Sequence, residues 1–482
     1  MREWIHDAGT FLSHIADSYV WGWGPSFLGG VPLMVILLLG TGIVLTFCTF
    51  GVQVRWLGRA IRLTLTGAGG KRIKSQVEGD ITPFQALMTA LAATVGNGNI
   101  AGVATAVASG GPGAAFWMVI TAVFGMATKY SECLLGVKYR VKMPDGTMNG
   151  GPMDYCKHGI GGPVGKGLAM TFAAFGTICT LIGTGNPFQT NSMALALRTQ
   201  AGVPQWLTGA VVTLLVGLVI IGGIKRIGNV AGKFVPFMIF FYFGGCLLII
   251  LARITDVPGA IATIVRSAWS PQAVFGGALG FGIQQAIRYG VARGILSNES
   301  GLGTAGIAQA AGKSDSPAES GLIGMMGTFI DTIIVCTLTA TVLTVTGVYR
   351  AGPAFGGTLN SSAMTAEAFN TVIPFGGYIV AVASLLFGIS TLFGWCYYGE
   401  QCVRYLFGLR VTALYRVLFI VIMFLGSLPD GENFDITAVV AIGDIGNGMM
   451  AIPNLIGLLF LARVVARETR DYAVGRGGPP GG

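Results

Sequence analysis

The residues best placed to do chemistry are Ala92-Ala93-Thr94-Val95-Gly96-Asn97-Gly98-Asn99-Ile100-Ala101-Gly102, which put two glycines and two asparagines into an apolar run of membrane-span length. In hydrocarbon every backbone N–H and C=O must be paired, so such an interruption is tolerated only where irregular backbone faces protein, water or a ligand. A helix restarting there presents unpaired N–H groups and the positive end of its dipole, which suits a carboxylate. Carbonyls freed at the end of the preceding half suit a small cation. Gly96 and Gly98 alone are equally compatible with close helix packing; Asn97 and Asn99 beside them favour a binding break.

Other polar groups sit in apolar segments. Ser390 and Thr391 form a hydroxyl pair, with Trp395 four residues beyond Thr391 on the same helical face. Such hydroxyls either face a site or bond back to their own helix. Asn186, Gln189 and Asn191 place three amides within six residues, for a substrate or for a neighbouring helix. Asp331 and Asp444 are intramembrane carboxylates: proton carriers, cation ligands or helix-bonding groups, which sequence does not separate.

Catalysis finds no support. His6, His14 and His158 lie outside the apolar runs, and neither metal-ligand spacing nor a nucleophile elbow is present. The glycine triplets at Gly96/Gly98/Ala101 and Gly301/Gly303/Gly306 follow no strand, and Gly312-Lys313-Ser314 has Ile307 where a P-loop needs glycine. Nucleotide sites are excluded, and no enzyme or cofactor is expected.

The elements that position these residues are membrane helices. Charged residues make up 11% of the 482 and hydrophobic ones 52%, with a mean hydropathy of +0.69; soluble domains carry about a quarter charged residues. The chain therefore reads as an all-α polytopic membrane protein whose 76 glycines serve close helix packing. Its eight cysteines show no paired spacing and are expected to be reduced. Eleven spans are predicted, near 27–50, 83–109, 113–137, 167–197, 206–223, 231–252, 272–297, 320–346, 373–400, 413–428 and 436–462. Basic residues gather on alternate connections, among them Arg55 to Lys74, Lys129 to Lys166, Lys225 to Lys233, Arg288, Arg293 and Lys313, Arg404 to Arg416, and the tail. The positive-inside rule then sets the N-terminus outside and the C-terminus in the cytoplasm, in a plasma membrane of bacterial or archaeal type. The net charge of +9 is thus an orientation signal rather than a nucleic-acid footprint.

A second glycine-broken segment, Phe275 to Gly282, follows five spans after the first. Two such breaks at corresponding places point to inverted repeats around a midplane site. The expected division is an outer segment 1–26, an extra first helix 27–50, five-helix repeats at 83–252 and 272–462, and a tail 463–482 whose Gly/Pro-rich end is disordered.

On these residues the chain resembles the alanine or glycine:cation symporter family. The matching stretches are Ala93–Ala104, Ala286–Gly303, Gly394–Glu400 and Met450–Ile456. Thr94–Asn99 and Leu279–Gly282 are also similar to motifs of the leucine-transporter group, which implies that fold. The resemblance implies sodium-coupled uptake of a small neutral amino acid, alanine or glycine, with a proton-coupled symporter or a passive channel as alternatives. It implies sodium held by the Ala92, Val95 and Phe387 carbonyls with the Ser390 and Thr391 hydroxyls. It implies a substrate carboxylate at Gly96, Asn97 and Gly98, and a pocket lined by Gln189, Phe281, Thr391 and Trp395. One departure is Asn97, where the family usually has threonine; the longer amide bears on substrate size, stereochemistry or polarity.

Overall fold

The computed structural model describes residues 10–20, 32–68, 78–269, 281–428 and 436–475. Among them the chain is helical apart from a short hairpin pairing Val141–Lys142 with Met148–Asn149. Seven helices are long and apolar enough to cross a membrane: Gly113–Lys138, Gly162–Ala201, Gly223–Ala252, Pro317–Val345, Gly376–Phe407, Leu409–Gly426 and Ala438–Phe460. Pro83–Thr94 and Gly98–Gly110 pass the same test as a pair bent by 51°, and Leu33–Cys48 and Gln205–Ile220 are shorter apolar helices.

The layering follows from side-chain chemistry. Gly113–Lys138 and Gly376–Phe407 are mostly buried and stand in the centre, whereas Gly223–Ala252 and Leu409–Gly426 are mostly exposed. Those outer helices turn Phe240, Leu248 and Val421 outward, as lipid-facing surfaces require. The first broken span starts at a capping box: the Gln85 N–H donates to Thr82 Oγ1 at 3.2 Å, and the Thr82 N–H donates to Gln85 Oε1 at 2.9 Å.

The break expected at Phe275–Gly282 lies, up to residue 280, outside the described residues, as does the end of the tail beyond residue 475. First, a helix interruption that the sequence did not mark appears at Glu299–Gly303, between Phe281–Asn298 and Thr304–Ala310. Its backbone needs positive φ at Glu299 (54°), Gly301 (97°) and Gly303 (83°), a conformation glycine takes freely. Second, Arg288 and Arg293 do not belong with the other basic connections. A methyl group at Gly110 would lie 3.2 Å from Gln285 O, so this helix runs beside the 110–113 turn, at the far end of the first broken span from Pro83. Third, Lys129 is in no loop: it is 1% exposed within Gly113–Lys138.

At the opposite end Arg140 ties two segments together, its guanidinium donating to the carbonyls of Glu78, Ala310, Gly312 and Ser314 at 2.8–3.3 Å. Arg404 pairs with Asp145 at 2.6 Å. The tail helix Ala462–Ala473 is docked there by Lys138 to Glu468 at 2.7 Å and by Tyr472 to Glu319 at 2.9 Å.

Candidate functional site

The first break is held open by a side chain. The Gly96 N–H donates to Asn99 Oδ1 at 2.8 Å instead of closing on Ala92, so the Ala92 carbonyl loses its helical donor. Ala92 and Val95 are buried, and the Gly376–Phe407 helix presses on this point. A methyl group at Gly96 would lie 2.5 Å from Thr391 Oγ1, and one at Gly394 would lie 2.5 Å from Ala93 Cβ. Ser390 and Thr391 both donate to the Phe387 carbonyl at 2.8 Å. The fold thus brings together the helix segments carrying all five residues of the expected cation set.

A cavity of about 240 Å³ opens against this break. Six of the seven expected substrate residues line it: Gly96, Asn97, Gly98, Gln189, Thr391 and Trp395. The side chain of Phe281 lies outside the described residues; this segment reaches the cavity through Arg293, Leu296, Glu299 and Leu302. The amides divide. Gln189 turns into the cavity, donating to Thr184 O at 3.1 Å, whereas Asn186 donates to Phe419 O at 2.9 Å as a helix-bonding group. The helix is interrupted at Gly183–Asn186, where Gly185 packs against the Trp395 ring so closely that a methyl group would be 2.6 Å away. The two acids divide as well: Asp444 lines the cavity, and Asp331 is fully buried behind it.

Glu299–Gly303, a second break among the described residues, faces the first. Gly98 approaches Ser297, and Glu299 lines the same cavity. Glu132, from Gly113–Lys138, holds this loop: its Oε1 accepts from the Gly301 and Gly303 N–H groups at 2.9 and 3.0 Å and from Asn454 Nδ2 at 2.8 Å. Asn454 also donates to Gly301 O at 2.8 Å and accepts from the Tyr155 hydroxyl. Glu299 accepts from Thr304 at 2.6 Å. Lys129, without a hydrogen-bond partner, is the buried cation within electrostatic reach of Glu132, Glu299 and Asp331. The sequence hides this group because Lys129 and Arg293 read with the basic connections and Glu299 lies just past the end of the predicted span 272–297; charges inside an apolar run are the available signal.

Two helix breaks meeting at one cavity in a membrane bundle are what a carrier requires, and the comparisons agree. Residues 17–477 match the sodium:alanine symporter family. The chain belongs to this family. It is 46% identical to the sodium/alanine symporter AgcS of Methanococcus maripaludis over 465 residues, covering 96% of each chain. It is 48% identical to an uncharacterized transporter of Haemophilus influenzae, covering 93% of this chain and 94% of that one. Among solved structures it is similar to MhsT in complex with L-phenylalanine, with a TM-score of 0.55, 12% identity, and coverage of 82% of this chain and 99% of that one. The protein is therefore a multi-pass membrane transporter of the leucine-transporter fold, not an enzyme.

Proposed function

We propose that this symporter carries a small neutral amino acid, alanine or glycine, into the cell together with sodium, by alternating access around the central cavity. The observation that carries the reading is the junction of Gly96 with Thr391, where the open helix end meets the Thr391 hydroxyl across a buried contact. Sodium bound by Ala92, Val95, Phe387, Ser390 and Thr391 would lock that junction and order the loop that meets the substrate. The carboxylate would meet the backbone at Gly96, Asn97 and Gly98, with Gln189, Thr391 and Trp395 around the side chain. Family membership and the likeness to AgcS support this substrate and cation.

The same reading gives eleven spans, two inverted five-helix repeats after an extra first helix, and an outside N-terminus. The runner-up is a proton-coupled symporter with Asp331 or Asp444 as carrier: Asp331 is fully buried and is joined to the first break through Asn99, and Asp444 lines the central cavity.

The test is labelled alanine uptake into proteoliposomes, competed with glycine, serine and D-alanine. Accumulation against a gradient that collapses with the sodium gradient at constant voltage and pH is expected. Uptake indifferent to sodium would overturn sodium coupling, and flux that never exceeds equilibrium would mean a channel.

A further inference from the structure

A second cavity, of about 390 Å³, adjoins the central one. The two share five lining residues: Asn97, Ala101, Phe188, Ser361 and Val440. Of these, Asn97 alone belongs to the helix break, and it is 2% exposed. Its amide is held from both sides. Ser384, which lines the second cavity, donates to Asn97 Oδ1 at 2.6 Å, and Asn97 Nδ2 donates at 3.3 Å to Gln189, which lines the central one. Gln189 is fixed in turn on Thr184 O. A continuous strap, Ser384 to Asn97 to Gln189 to the 184 carbonyl, therefore crosses between the two spaces.

We propose that Asn97 is the residue that sets the substrate size limit, its strapped amide forming the wall between the substrate cavity and a second, uncharged cavity that would otherwise admit a longer neutral side chain. This rests on the reading of the central cavity as the substrate site. The physical argument is one of closure. An amide bonded at both ends cannot swing aside without leaving buried polar groups unpaired. The wall is therefore stiff against a substrate one or two methylenes too long, and each excess methylene against such a wall disfavours binding about tenfold or more. Behind the wall the lining is Asn191, Ser192, Leu195, Ala196, Thr199 and neighbours, none of them ionisable among the described residues. The space has room for an amide or thioether chain, such as that of glutamine or methionine, and offers a charged one no counter-ion among the described residues.

The test uses the full-length protein in proteoliposomes, with alanine uptake competed by glutamine, methionine, glutamate and lysine, and thermal stabilisation of the purified protein by the same panel. In the parent, glutamine and methionine compete poorly. In Asn97→Ser their half-inhibitory concentrations, relative to alanine, are expected to fall about tenfold or more, with glutamate and lysine unchanged. Ser384→Ala, which frees one end of the strap without touching Asn97, should shift the ratio in the same direction by less, and it decides the matter if Asn97→Ser does not fold. Adding Ala196→Phe, which fills the second cavity, should reverse the gain while leaving alanine uptake in the parent background unchanged. An unaltered glutamine-to-alanine ratio in the strap variants, or a gain that survives Ala196→Phe, overturns the partition. A parent that neither takes up alanine nor is stabilised by it overturns the transport reading instead, so the two failures are distinguishable.

Discussion

Asn99 joins Gly96 to Asp331: its Oδ1 accepts the Gly96 N–H at 2.8 Å while its Nδ2 donates to the Asp331 carboxylate at 2.7 Å. Ser297 and Thr332 complete that carboxylate's shell at 3.0 and 2.7 Å. The open helix end is thereby anchored to Pro317–Val345, and a change at the break is felt at a buried charge. Asn99→Ala strands both partners, each buried group left unpaired costing about 1–3 kcal/mol. We expect a lower melting temperature and loss of sodium-stimulated uptake. Asp331→Asn should keep sodium-driven accumulation if sodium is the coupling ion; loss of uptake driven by a pH gradient would assign the coupling to a proton.

Ser390 and Thr391 have only the Phe387 carbonyl to satisfy within their own helix. Removing either hydroxyl costs folding about 1 kcal/mol. As sodium ligands their loss should raise the half-saturating sodium concentration about tenfold, the effect of losing a charge-assisted contact. Sodium titrations of alanine uptake in Ser390→Ala and Thr391→Ala check this, and unchanged curves would remove the hydroxyls from the cation site.

Glu132 is the fastening of the second break, with three donors converging on one oxygen. Glu132→Ala leaves the Gly301 and Gly303 N–H groups and one N–H of the Asn454 amide unpaired, so thermal unfolding in detergent should show a loss of several kcal/mol, about 1–3 per group. Glu132→Gln retains an acceptor and should fall between Ala and the parent. Equal stability of all three would mean the loop does not depend on this carboxylate.

Asp154 lies in the connection before Gly162–Ala201, where burial pushes its carboxyl up to about 7 against the opposing pull of Lys157. The folded state therefore holds this proton to higher pH than the unfolded chain does. Stability from this group is fully present below about pH 4 and is lost as pH rises toward about 7, with a slope of at most about 1.4 kcal/mol per pH unit. Unfolding midpoints of the parent and Asp154→Asn across that window should diverge, the parent losing more. Parallel curves would show that the carboxyl does not titrate there.

The amino-acid sequence by itself determined the membrane class, the helical content and the first break. Apolar length is a local property, and glycine and asparagine inside it are visible without any partner. It also marked Gln189, Thr391 and Trp395, whose polar or aromatic groups stand out in apolar runs. Only tertiary structure revealed the interruption at Glu299–Gly303. Asn298–Gly303 has ordinary loop composition until Glu132 and Asn454, from distant helices, bond its N–H groups and carbonyl. The same holds for charge. Lys129 and Arg293 look like loop cations in one dimension, and a buried site is distinguished from a solvated one only by what the other helices place around it. Asn97 shows the division most plainly: sequence placed an amide in the substrate loop, and the fold alone, by setting Ser384 on one side and Gln189 on the other, made it a wall.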